Sequence, residues 1–164
     1  MTQHTDMKTQ IGWLLEAGVD FVICGGVACV LHGVDRTTLD LDICVSPDAE
    51  NWQRIVSFAK AHGLQPRIPE PLEYLLDPNR RQRWVEEKNA MVYTLVGESG
   101  WIQIDVFLTY PIEWSQLRSR AREQLFNGSI LLISSKADLI QAKRSVSPVR
   151  KKDLRDIEDL EGLP

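Results

Sequence analysis

Residues 21–45 read FVICGGVACVLHGVDRTTLDLDICV, and their order decides the fold. An apolar run from Val19 to Cys24 stops at Gly25-Gly26, where a tight turn or a close backbone approach is expected. A short apolar segment, Val27 to Leu31, leads to Gly33, and a second strand is expected from Leu39 to Val45. Strand side chains alternate between faces, so Asp40 and Asp42 share one face while Leu41 and Ile43 take the other. Two carboxylates side by side repel unless a cation lies between them, which points to a divalent metal. Glycines beside such a pair point to a phosphate. Each motif alone is weak, because acid pairs on exposed strands and Gly-Gly turns are common. Together, with thirteen residues between Gly26 and Asp40, they are far more specific.

A third acid follows on a later strand. Residues 101–108 read WIQIDVFL, in which Ile102, Ile104, Val106 and Leu108 alternate on one face and Asp105 takes the other with Gln103. A carboxylate in that apolar company costs several kcal/mol to bury unless it is paired or bound to metal.

The combination Cys24-Gly25-Gly26 with Asp40-Leu41-Asp42 resembles the nucleotidyltransferase superfamily, the fold shared by DNA polymerase β and the small bacterial nucleotidyltransferases. Arg36, Thr38, Asp40 and Asp42 together look like the AbiEii-type group of toxin–antitoxin nucleotidyltransferases. The tail ADLIQAKRSVSPVRKKDLRDIEDL is similar to that group too, and by this match Lys143, Arg150 and Asp153 carry over. The resemblance implies an α/β (α+β) fold, a mixed sheet with flanking helices and a C-terminal helical pair. It implies transfer of an NMP from a nucleoside triphosphate to a hydroxyl on a tRNA end, a protein or a small molecule such as an antibiotic. Asp40, Asp42 and Asp105 would hold Mg²⁺ or Mn²⁺ and be catalytic. Gly25, Gly26, Arg36, Thr38, Lys143 and Asp153 would bind the nucleotide, with Asp153 orienting Lys143. It also implies an antitoxin as a possible partner. A second reading is a nucleotidyltransferase-like binding module that has lost turnover; the intact set of three acids argues against it. A haloacid-dehalogenase phosphatase is disfavoured because Cys44 stands where that family has a small hydroxyl residue.

Composition sets the frame. The chain's 164 residues, 43% hydrophobic and 26% charged, suit one globular domain, 1–164, with helices of about 135–162 packed on it. A net charge of −4 argues against a protein that coats nucleic acid. The N-terminus lacks the basic and apolar regions of a signal peptide, and no apolar run is long enough for a membrane span, so the cytoplasm is expected. Cys24, Cys29 and Cys44 are odd in number and read as small buried hydrophobes. His4 and His62 have no partners in sequence, and His32 reads as structural rather than pocket-lining.

Along the chain, Thr5 or Asp6 caps a helix to about Ala17, striped by Ile11, Leu14 and Leu15. Ser46-Pro47-Asp48 opens another to His62, with Trp52, Ile55, Val56 and Ala59 inward and Gly63 as its stop. Residues 65–89 carry four prolines and the basic run Arg80, Arg81, Arg83, read as a solvated loop or helix face rather than a phosphate site. Strands at Met91 to Val96 and Trp101 to Leu108, a short helix at Pro111 to Leu117, and a hairpin about Asn127-Gly128 follow. Ser134 or Ser135 caps a helix from about Ala137 to Ser145, and a last one runs from Lys151 to Leu160 with Leu154, Ile157 and Leu160 inward. Lys143 is expected to be exposed and to contribute little to folding.

Overall fold

The computed structural model describes residues 6–164; His4 and the Thr5 cap lie outside the described residues. Its centre is a seven-stranded mixed sheet in the order β3-β4-β5-β2-β1-β7-β6. Strands β1 (Phe21–Cys24) and β2 (Leu41–Val45) run antiparallel, and β2 is parallel to β5 (Gln103–Phe107). β4 (Val92–Val96) is antiparallel to β5, and the two-residue β3 (Gln65–Pro66) closes that edge. β7 (Ser129–Ile133) pairs parallel with β1 and antiparallel with β6 (Arg122–Phe126). Asn127 and Gly128 turn that hairpin with φ of 49° and 80°, the paired positive values that suit the twist of the flanking strands.

Alternation along the strands divides the molecule into two layers. Leu41, Ile43, Ile104 and Val106 point into the main core, which α1 (Met7–Glu16) and α3 (Ala49–Ala61) cover. Trp52, Ile55, Val56 and Ala59 are all buried there, as their spacing predicts. Ile55 and Val56 each contribute about 1.5–3 kcal/mol by leaving water. Asp42 and Cys44 point to the other face, where a smaller cluster of Val22, Cys24, Cys44, Ile112 and Leu117 forms under α5 (Trp114–Arg120). The site therefore opens on the face whose apolar cover is thin.

Helix ends follow the residues that cap them. Asp6 accepts from the Thr9 amide, Asp48 from Asn51 and Ser135 from Asp138, so the last of these starts α6 at Lys136 (Lys136–Arg144). α2 (Gly25–His32) begins directly at the glycines and packs on both α6 and α7 (Lys151–Gly162). The basic run lies on α4 (Pro78–Lys88), after a 3₁₀ turn at Leu72–Leu76. Arg80 stacks over Tyr74, Arg81 over Trp52 with a hydrogen bond to the Leu75 carbonyl, and Arg83 is exposed. His32 Nε2 lies 2.8 Å from the Ser134 carbonyl and is structural.

Three expectations are corrected. β2 begins at Leu41 rather than Leu39, because Leu39 is 81% exposed and has no strand partner to hold it. The helix expected at Pro111 starts at Trp114. Leu154 is 51% exposed, and the inward face of α7 carries Asp153 and Asp156 with Ile157 and Leu160. Among the described residues no helix is long and apolar enough to cross a membrane.

Asn51 fastens the start of β1 and the end of β2 to α3. Its Nδ2 donates to the carbonyls of Asp20 and Ser46, each at 3.0 Å, and its Oδ1 accepts from the Asp20 amide at 2.8 Å. Asn51→Ala removes the partners of the Asp20 amide and the Ser46 carbonyl, while the Asp20 carbonyl keeps its bond from the Ser46 amide, and we expect a loss of about 2 kcal/mol in urea unfolding. A change below about 0.5 kcal/mol contradicts this role.

Candidate active site

Strand register assembles the centre of the site. Asp42 lies directly beside Asp105 in the parallel β2–β5 ladder, and Thr94 of β4 lies beside Asp105 on its other flank. Thr94 Oγ1 donates to Asp105 Oδ1 at 2.6 Å, and Gln103 Nε2 donates to Oδ2 at 3.3 Å. Burial pushes the Asp42 carboxyl up to about 7, and Asp105 adds to the shift by its charge and by a hydrogen bond. Asp40 is also raised, by burial and then by the charge of Asp105.

Asp40, Asp42 and Asp105 all line one cavity of about 630 Å³. Among the described residues, however, no three side chains already stand as a metal-ligand cluster. Asp42 and Asp105 adjoin, and Asp40 lines the same cavity close enough to feel the charge of Asp105. Asp40 precedes β2, so the ladder that sets Asp42 against Asp105 does not hold it.

The glycines belong to the same cavity. Gly25 opens α2 with φ of 61°, and a Cβ there would land on the Asp42 carboxylate. Gly26 is an ordinary helical residue, and a Cβ on it would stand 2.8 Å from Thr38 Oγ1 and 3.1 Å from Arg36 Nη2. The bare Gly26 is therefore what lets the 36–38 segment lie against α2. The first-turn amides of that helix point where an anion would approach.

Cations come from the tail. Lys143 lines the cavity, a hundred residues after Asp42. Its ammonium donates to Asp156 Oδ2 at 2.9 Å and to Asp153 Oδ1 at 3.4 Å. Arg150 Nε donates to Asp153 Oδ2 at 2.6 Å, and Arg36 Nη1 donates to Asp156 Oδ2 at 2.5 Å. The Lys143 side chain is only 11% exposed, so the expectation that it is exposed and contributes little to folding is corrected. Burial would raise Asp153, but its hydrogen bond from Arg150 and the charge of Lys143 outweigh that and hold it below the usual range.

Asp156 is the residue that the sequence reading missed. It joins Arg36, which precedes β2, to Lys143 on α6, and is itself 3% exposed. Its signal was present in the spacing Asp153, Asp156, Ile157, Leu160, which places two acids on the buried stripe of α7.

No family model matches the sequence, and no curated protein matches it significantly. Solved structures do match in shape. A crystal structure of the lincosamide antibiotic adenylyltransferase LnuA with lincomycin bound superposes with a TM-score of 0.64 at 15% identity, covering 100% of this chain and 98% of that one. An antigenic nucleotidyltransferase-like protein from Paracoccidioides brasiliensis gives 0.58 at 18% identity, over 96% and 74%. ANT(2'')-Ia in complex with adenylyl-2''-tobramycin gives 0.57 at 15% identity, over 98% and 88%. The chain has the nucleotidyltransferase fold.

Two outcomes follow from the tail network. Asp156→Ala removes the carboxylate shared by Lys143 and the partly exposed Arg36, and we expect about 2–3 kcal/mol of destabilisation in chemical unfolding. A pH effect follows from Asp153. A lowered carboxylate stabilises the fold above its unfolded value of 3.8, and that contribution disappears as pH falls below 3.8 through the lower folded value. Asp153→Asn should therefore lower the melting temperature at pH 7 yet flatten its decline below pH 4. An unchanged acid limb contradicts the pairing.

Proposed function

We propose that this protein transfers an NMP from a nucleoside triphosphate, ATP foremost, to a hydroxyl of a small-molecule acceptor in a divalent-metal-dependent reaction. The observation that carries the reading is the in-register pair Asp42–Asp105 in one cavity with the α2 N-terminus and Lys143. The donor set fits Mg²⁺ or Mn²⁺. These hard cations take carboxylate oxygens, and a cation offsets both the burial and the neighbouring charge that raise Asp42. Asp42 and Asp105, with Asp40 brought in, would hold it; bound there, it supplies Lewis-acid stabilisation of the phosphates and of the acceptor oxygen.

The chain's own groups do the rest. The start of α2 receives the triphosphate, with Gly25 keeping the approach open and Thr38 beside it. As the acceptor oxygen bonds to the α-phosphorus and pyrophosphate leaves, negative charge grows on the departing group. Lys143 and Arg36 are positioned to stabilise it, and Asp153 and Asp156 fix where they stand. Asp105, held by Thr94, orients the acceptor hydroxyl.

The acceptor class is supported by the fold neighbours, which carry lincomycin and an adenylylated tobramycin. An AbiEii-type role with an antitoxin partner rests on Arg36, Thr38, Asp40, Asp42 and the tail alone. A single domain acting in the cytoplasm, where the three free thiols stay reduced, completes the reading.

Pyrophosphate release from ATP and Mg²⁺ with lincomycin, tobramycin or deacylated tRNA as acceptor tests it. Asp42→Asn should abolish turnover while leaving the metal-free melting temperature unchanged or higher, since one of the crowded charges is gone. Lys143→Ala should lower kcat by about a hundredfold or more. Nucleotide binding by calorimetry without release on any acceptor would favour the inactive module. Retained turnover in Asp42→Asn sinks the mechanism.

A further inference from the structure

The cavity's cations and its apolar lining come from different segments of the chain. Its four lining cations, Arg36, Lys143, Arg150 and Lys152, all come from the segment before β2 and from the tail. A second part of the lining is built by Met91, Val92, Phe107, Tyr110 and Pro111, from the start of β4 and the residue before it, β5 and the segment that follows β5. Phe107 lies two residues beyond Asp105 on β5, hence on the same face, roughly 6.6 Å along the strand. Val92 is its register partner on β4, and Tyr110 packs edge-on against its ring at 4.8 Å between centroids. Phe107 and Val92 are half-buried and Met91 is 50% exposed, so this wall presents apolar surface to the cavity's mouth.

We propose that the acceptor is an uncharged, hydroxyl-bearing small molecule that lays an apolar face on this wall. The inference rests on the nucleotidyltransferase reading and deepens it. Of the four lining carboxylates, Asp153 is paired with Lys143 and Arg150, and the other three form the proposed metal site. None is left to meet an ammonium at the Met91–Phe107 lining, so a polycationic acceptor lacks counter-charges there. A polyanion such as RNA lacks cations there for the same reason. The proposal leaves the nucleobase the lining of Leu139, Ala142 and Val146, beside Lys143. A flexible thioether at the mouth suits apolar ligands of varied shape. In the transfer, the acceptor oxygen bonds to phosphorus, the bond to pyrophosphate breaks, and the hydroxyl proton passes to solvent.

Alkyl β-glucosides separate the apolar contribution from the hydroxyls, because the sugar is constant across the series. Methyl, butyl, hexyl and octyl glucoside, below micellar concentration, are titrated calorimetrically into protein loaded with Mg²⁺ and a non-hydrolysable ATP analogue. Affinity should rise by about tenfold or more from methyl to octyl. Met91→Lys, at a half-exposed position that the core does not need, should remove most of that rise with nucleotide affinity unchanged. A flat series with nucleotide bound overturns this inference and leaves the proposed function standing. Spermine binding tighter than octyl glucoside overturns it too. If Met91→Lys weakens the nucleotide as much as the glucoside, the wall holds the base and the inference fails. Failure of the ATP analogue itself to bind removes the underlying reading along with it.

Discussion

The site depends on one register: Asp42 beside Asp105 in a parallel pair of strands. Adjacent strands lie about 4.8 Å apart, so two carboxylates in register on one face are forced into mutual range. At an effective dielectric near 20, unit charges about 4–5 Å apart repel by roughly 3–4 kcal/mol. The fold does not remove that repulsion, and burial first, with the charge of Asp105 added to it, drives Asp42 toward its neutral form. What it does is anchor both strands from behind. Leu41, Ile43, Ile104 and Val106 are fully buried on the opposite face, and a slip of one residue would exchange them for the acids. The apolar face thus fixes the geometry that the polar face would not adopt by itself.

The tail complements that frame with charge. Helix α7 buries two carboxylates on the stripe where an ordinary amphipathic helix places leucines. Those acids are affordable in the core only because Lys143, Arg36 and Arg150 meet them with charge-assisted hydrogen bonds. Three cations against two carboxylates leave this cluster with a positive balance facing the carboxylate pair across one cavity. Two opposed charge clusters, each fixed by a different part of the chain, make a place for a ligand that bridges them.

Much of this was legible because the relevant signals were periodic. The alternation in residues 101–108 put Asp105 on the correct face, and Asn127-Gly128 marked its hairpin. Strand order was not readable, since nothing local tells that β2 pairs with β5, sixty residues away, rather than with a nearer neighbour. Asp40 was assigned to β2 because alternation says nothing about where pairing stops. Asp156 escaped for the opposite reason: an acid on a charged terminal helix reads as solvated unless its partners are known, and these are Arg36 and Lys143 from remote segments. Leu154 was placed inward by apolar identity alone, while burial followed the ion-paired acids. In the 65–89 stretch, proline spacing hid a helix whose arginines pack on Trp52 and Tyr74 instead of facing a ligand.

The same physics explains why the glycines are where they are. Gly25 has left-handed backbone torsion and no room for a Cβ beside Asp42, so the chain turns from β1 into α2 within a single residue. That immediacy puts the amides of the helix start level with Cys24, whose register partner is Asp42. A longer connection would carry the helix start away from the carboxylates and separate the anion-binding amides from the cation-binding pair. Gly26 then admits Thr38 and Arg36 against the helix, and Arg36 in turn reaches Asp156. Two adjacent residues without side chains therefore couple the sheet's acids, the helix dipole and the tail's cations into one cavity. The order Gly-Gly before Asp-x-Asp is a consequence of that close packing, which is why it carries more information than either motif alone.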